Sequence, residues 1–257
     1  MSNNIIKTEV EQKLLRKSGI LTARALKTVI ENAKPGVTLL ELDKLAEDVI
    51  KKNGGESSFK TVPGYNFTTC LTVNDEVVHG IPRAIKLQSG DLLSIDVGAI
   101  YQGWHTDAAW SIIVGSDELE VGSEKKRFLE VGEETLWKTI TQAHEGKRIG
   151  DISASIQQGV ENAGYNVVQS FSGHGIGTNN HEKPEIPTFG KEKTGLKLKR
   201  GMILAIEVIY AEGNGDVCEA NDDWTVITTD HSLGGLFEMS VIVGKKGAEI
   251  LTDWRQI

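Results

Sequence analysis

The chain has 257 residues, 39% of them hydrophobic and 25% charged, with no low-complexity stretch. These proportions exclude a disordered chain and suit one large domain or two small ones. The net charge of −8 disfavours a generic nucleic-acid coat, and two cysteines, Cys70 and Cys218, are too few for a disulfide scaffold or a Cys-rich zinc finger.

The opening MSNNIIKTEVEQ has no apolar h-region, and no run approaches the roughly 18 apolar residues of a membrane span. The expectation is a cytoplasmic protein with no membrane partner. Hydrophobic periodicity predicts helices over about 8–33 and 39–53, with Thr38 and Glu41 at capping-box spacing. Strands follow near 67–72, 76–79, 91–100 and 104–114. Helices over about 123–144 and 152–163 come next, then strands near 166–173, 202–211, 223–229 and 237–244. The five prolines sit in turn-like contexts. Runs of strands between helix pairs indicate an α+β fold with a largely antiparallel sheet.

The chain reads as a duplication. Displaced by 110 residues, Leu26 meets Leu136, Ile30 meets Ile140, Gly36 meets Gly146 and Gly54 meets Gly164. Displaced by 111, GDLLSIDV (90–97) meets GMILAIEV (201–208), and Asp96 falls on Glu207. Two buried strands resemble one another by chance, but two segments agreeing within one residue argue against chance. The expected architecture is pseudo-twofold: one catalytic domain over 1–257, with halves of about 8–114 and 123–250.

Asp96 lies inside an apolar strand, and Asp107 lies in the next strand beyond a turn at Tyr101-Gln102-Gly103. Across such a hairpin the two are directly opposed or diagonal, roughly 5–8 Å apart. An inward Asp paired with Lys or Arg is the structural alternative, yet Lys86 is the one cation between positions 84 and 124. A metal is the economical counter-charge. Glu207 and Glu238 are again acids inside apolar strands, and a lone buried carboxylate is rare. His174 is flanked by Gly173 and Gly175, which admit close approach of backbone or ligand.

Four carboxylates and one imidazole suit hard or borderline ions such as Mn, Fe(II), Co or Zn, and four negative charges match two divalent cations. Two such ions about 3.5–4 Å apart acidify a shared water and polarise a carbonyl, which makes a hydrolytic centre. His79 and His181 are placed to donate to a substrate carbonyl or oxyanion. His105, two residues from Asp107, reads as a bystander or a support to the site; His144 and His231 have no supporting context.

The ordered set HGIP, DVG…HTD, GHGIG…HE, IE and FE resembles that of the methionine aminopeptidases, in their short bacterial type I form, over about residues 8–250. The resemblance implies the pita-bread fold and a dinuclear centre held by Asp96, Asp107, His174, Glu207 and Glu238. Asp107 and Glu238 would bridge the two ions. Asp96 would bind one ion, and His174 and Glu207 the other. It implies removal of the initiator methionine from nascent polypeptides with a small second residue. Glu207 would shuttle the proton, His79 and His181 would contact the scissile amide, and Tyr65, Cys70 and Trp224 would line the methionine pocket. The sequence departs from the family's habit at Val208 (usually Pro), Met239 (usually His), Asn180 (often aromatic) and Phe59 (commonly smaller), which touches substrate preference more than chemistry. A monomer with transient ribosome contact, through a basic cluster such as Lys191–Arg200, completes the expectation. A proline-directed aminopeptidase or prolidase of the same fold is the alternative enzyme, and a non-enzymatic binding protein of that fold the alternative class.

Overall fold

The computed structural model describes residues 5–115 and 122–257. Helices α1 (Glu9–Asn32) and α2 (Leu39–Lys52) each open on a capping box. The Thr38 hydroxyl accepts the Glu41 amide at 3.2 Å and the Glu41 carboxylate accepts the Thr38 amide at 2.8 Å, as their spacing predicts. Strands β1 (Glu56–Ser57), β2 (Thr69–Val73), β3 (Glu76–Val78), β4 (Leu92–Tyr101) and β5 (Trp104–Ile113) follow. Helices α3 (Ser123–Ile140) and α4 (Ile149–Glu161) precede β6 (Asn166–Val167), β7 (Ser172–Gly175), β8 (Glu182–Pro187) and β9 (Ile203–Ala211). The chain ends with β10 (Val217–Glu219), β11 (Val226–Thr228), β12 (Gly234–Val243) and β13 (Ala248–Ile250). No helix among the described residues is long and apolar enough to cross a membrane.

The main sheet runs β1-β4-β5-β12-β9-β7-β8, with β2 also on β4, β6 on β9 and β13 on β12. Its named strands pair antiparallel throughout. A second, three-stranded sheet runs β10-β11-β3. Three local expectations change. The strand foreseen at 166–173 is two short strands, β6 and β7, with a turn between them. β8 escapes the sequence pattern because it carries Pro184 and Pro187; it ends the sheet, where a missing N–H is tolerated. β12 starts at Gly234, earlier than its apolar run suggests.

Alternation along the strands separates two faces. Ile95 and Val97 of β4, Ala108 and Trp110 of β5, Ile206 and Val208 of β9, and Phe237 and Met239 of β12 belong to one large core shared with the helices. There α1 lies across β4 and β5, and α3 across β9 and β12. The intervening residues point the other way, toward the second sheet and the loops around it. Asp96, Asp107, Glu207 and Glu238 are all on that second face.

Candidate metal centre and substrate cavity

Strand register levels the acids. Asp96 stands opposite Ala109, Ala109 opposite Glu238, and Glu238 opposite Glu207. Asp107, two residues along β5, faces Gly98, so it lies diagonal to Asp96 on the same face. That settles the choice between opposed and diagonal. His174 of β7 stands opposite Ala205, placing it diagonal to Glu207, with Nε2 3.5 Å from Glu207 Oε1. Ligand atoms of Asp107, His174 and Glu238 lie within 4.8 Å of one another.

The Gly-His-Gly run has a steric reason. A Cβ on Gly173 would sit 2.6 Å from the Ala205 carbonyl oxygen, and one on Gly175 2.3 Å from that of Lys183. Only glycines let β7 press between β8 and β9 and carry His174 into line. His174 Nδ1 lies 3.0 Å from the Gly175 carbonyl, so Nδ1 carries the proton and Nε2 turns a lone pair toward the acids.

The cluster is electrostatically unfinished. Asp107, His174 and Glu238 are 4%, 6% and 3% exposed. Among the described residues no Lys or Arg lines the cavity beside them. Burial, then the neighbouring Asp107 charge, pushes the Asp96, Glu207 and Glu238 carboxyls well above the ordinary range. Burial raises Asp107 less, to about 6, because Asp96, the Ala108 amide and Asn180 favour its charged form. Burial and then His181 push His174 down to about 3. Asp96 Oδ1 and Glu238 Oε1 are buried without a hydrogen-bond partner. Unpartnered carboxylate oxygens, acids held back from ionising and a neutral imidazole lone pair are what a site for hard or borderline cations presents. The residues fit a metal.

The cavity beside this cluster measures ≈ 330 Å³. One wall is apolar: Phe59, Tyr65 and Cys70 form a small core with Val62 and Trp224 against it. Tyr65 meets Trp224 edge-on at 5.0 Å, and its hydroxyl is committed to the Thr69 carbonyl at 2.7 Å. Burial raises the Cys70 thiol and the Tyr65 phenol, so both stay neutral. His79 and His181 border the same space. The His181 ring packs on His174 at 4.2 Å, and His79 meets the edge of Phe171 at 5.3 Å. Burial keeps both rings neutral by lowering their pKa. The backbone of His79 is left-handed, at φ 59°, a conformation rare outside glycine.

The model of metallopeptidase family M24 matches residues 13–232. A methionine aminopeptidase of Clostridium perfringens is 41% identical over 248 residues, 96% of this chain and 98% of that one. One from Bacillus subtilis is 40% identical over the same shares. The crystal structure of methionine aminopeptidase from Thermotoga maritima superposes with a TM-score of 0.93 at 41% identity, over 96% of this chain and 98% of that one. This chain belongs to the methionine aminopeptidases of family M24. Its α+β architecture is the pita-bread fold of that family. A prolidase from Pyrococcus furiosus shares the fold at a TM-score of 0.77, but at 24% identity and over 65% of its own length.

Within this methionine aminopeptidase scaffold the four departures separate. Val208 and Met239 are fully buried on the helix face, away from the cavity. Phe59 and Asn180 line the cavity. Sequence reasoning left Phe171 and Ser58 unnoticed. Phe171 lies two residues before the Gly-His-Gly run, and an aromatic in that place is its one sequence signal. Ser58 has none: it sits in an ordinary Ser-Ser loop and gains meaning only by meeting His105 and Asn180 in space. His231 pairs with Asp75 at the surface, and neither it nor His144 lines the cavity.

Proposed function

We propose that the protein removes the initiator methionine from nascent polypeptides, preferring a small second residue, with Asp96, Asp107, His174, Glu207 and Glu238 holding two divalent cations. The observation that carries this reading is a level row of acids, with no Lys or Arg beside it among the described residues, opening on a largely apolar cavity. Full-length likeness to methionine aminopeptidases supports the substrate class. Bound there, divalent ions such as Mn, Fe(II), Co or Zn supply Lewis acidity toward a peptide carbonyl and lower the pKa of water.

The chain's own residues do the rest. The neutral walls of Phe59, Tyr65, Cys70 and Trp224 take up an unbranched thioether side chain and exclude water from it. His79 and His181, neutral near pH 7, each offer an N–H to the carbonyl oxygen of the first peptide bond as charge develops there. Glu207 borders the cavity, and its Oε atoms carry a proton from water to the leaving amine. We take residues 1–257 as one catalytic unit of two related halves. Gly36 and Gly146, at φ 90° and 94°, and Gly54 and Gly164, at φ 78° and 94°, support that relation.

The test is hydrolysis of Met-Ala-Ser by metal-stripped protein, before and after adding Mn(II), Co(II) or Fe(II), with Glu207→Gln alongside. Metal-dependent release of Met that disappears in the variant is expected. Folded protein that releases no Met with any of these ions would end the methionine assignment.

A further inference from the structure

Asn180, Ser58 and His105 form a hydrogen-bonded chain that the mechanism above does not use. All three are buried, at 6%, 0% and 6% exposure. Ser58 Oγ lies 2.6 Å from Asn180 Oδ1 and 2.8 Å from His105 Nδ1. A hydroxyl has one proton to give, and an amide oxygen only accepts. Ser58 therefore donates to Asn180 Oδ1, and His105 Nδ1 carries a proton and donates to Ser58. With its carbonyl end committed, Asn180 turns its NH2 the other way, toward the cavity that it lines together with Asp107.

Backbone contacts anchor the chain of bonds. The Ser58 amide donates to the Gly98 carbonyl at 3.0 Å, and Gly98 is the residue directly across the hairpin from Asp107. The His105 amide donates to the Gly177 carbonyl at 2.7 Å, tying it to the loop that bears Asn180 and His181. Asp107 also accepts the Ala108 amide at 3.0 Å. The direction of the hydrogen bonds thus runs from His105 through Ser58 to Asn180, whose free amide end faces the cavity that Asp107 of the candidate centre also lines.

We propose that Asn180 is a positioning residue that fixes the Asp107 carboxylate for cation binding, and that Ser58 and His105 in turn fix the Asn180 amide. The inference rests on the reading of Asp107 as a metal ligand. Outer partners of a ligand orient it, and their loss commonly lowers metal affinity about 10–100-fold. A side chain that only filled the cavity wall would be replaced without loss by leucine, which has nearly the same size.

The experiment is calorimetric titration of Mn(II) into metal-stripped parent, Asn180→Leu, Ser58→Ala and the double variant, with melting curves to monitor the fold. Asn180→Leu is expected to weaken Mn(II) binding about 10–100-fold. Ser58→Ala should weaken it less, and the double variant should bind no worse than Asn180→Leu alone, because Ser58 acts only through Asn180. A folded Asn180→Leu protein that binds Mn(II) like the parent overturns the proposal, as do losses that multiply in the double variant. If Asn180→Leu fails to fold, Ser58→Ala decides alone: weaker binding supports the proposal and parental binding overturns it. A parent that takes up no Mn(II) sinks the metal reading and this proposal with it, whereas parental uptake unchanged by both variants sinks only this one.

Discussion

Phe237 and Glu238 are neighbours on β12 and live under opposite requirements. Phe237 faces the helices, meeting Trp110 edge-on at 4.9 Å and closing on Gly132 of α3 so tightly that a Cβ there would sit 2.5 Å from its ring. Glu238 faces the cavity with one oxygen unpartnered and three other acids at its level or diagonal to it. One face of the sheet removes apolar area from water, which is the main source of folding free energy. The other buries charge without internal compensation, which costs stability until a cation arrives. A single sheet can carry both because the strand period of two assigns alternate residues to faces that never meet.

Breaking each side of that contrast should give different kinds of damage. Glu238→Gln should cost more than the about 10–100-fold loss of metal affinity that follows removal of an outer hydrogen-bond partner, and Met release should fall with it. Its metal-stripped melting temperature should not fall, because a buried like charge has been removed; a large drop in that temperature would mean that Glu238 is structural. Phe237→Ala should do the reverse. It should lower unfolding free energy by about 3–5 kcal/mol in a denaturant titration, through lost burial and the cavity left behind.

Glu182 sharpens the comparison, since it is a buried acid that has its cation. Lys7 Nζ lies 2.7 Å from its carboxylate, and the two side chains are 6% and 7% exposed. Burial pushes the Glu182 carboxyl up, but Lys7 and the amides of Asn179 and Thr178 pull it below its usual value, the opposite of the site acids. Lys7→Met leaves that carboxylate buried without its cation. A loss of about 3 kcal/mol is expected, at the low end for a broken buried pair because amide donors remain. Because Glu182 follows His181, turnover of Met-Ala-Ser should slow as well. Unchanged stability would show that the pair carries no net energy.

The site acids were legible in the sequence because an Asp or Glu inside an apolar strand contradicts its surroundings, and Asp96, Asp107, Glu207 and Glu238 each do so. Their shared level was legible only in part: the tight turn at Gln102-Gly103 fixes how β4 meets β5, whereas β9 and β12 are separated by the β10–β11 excursion and their register rests on long-range pairing. The helix ends were readable from local chemistry, as at Thr38 and Glu41. β8 was not, since its prolines mimic a turn. Ser58 and Asn180 were unreadable for a deeper reason: they lie 122 residues apart and are joined by one hydrogen bond that no periodicity encodes.

The smallest expected effect lies at the surface, on Glu47 of α2, and it tests whether an acid with ample cations behaves oppositely to the cavity acids as pH changes. Its carboxylate accepts from Lys51 at 2.7 Å and Lys60 at 2.6 Å, and these bonds hold its pKa down at about 2. The unfolded value is about 4.3. With the folded pKa below the unfolded one, the unfolded chain binds more protons across this window, so the contribution is complete above about pH 4.3 and fades as pH falls toward 2. Glu47→Gln should therefore cost about 0.5–1 kcal/mol at pH 7, the scale of a partly exposed pair, and progressively less on acidification. Screening with about 1 M salt should shrink the difference at pH 7 as well. A deficit that persists unchanged at pH 3 and in high salt would mean that Glu47 stabilises α2 by packing, and that charge pairing contributes nothing there.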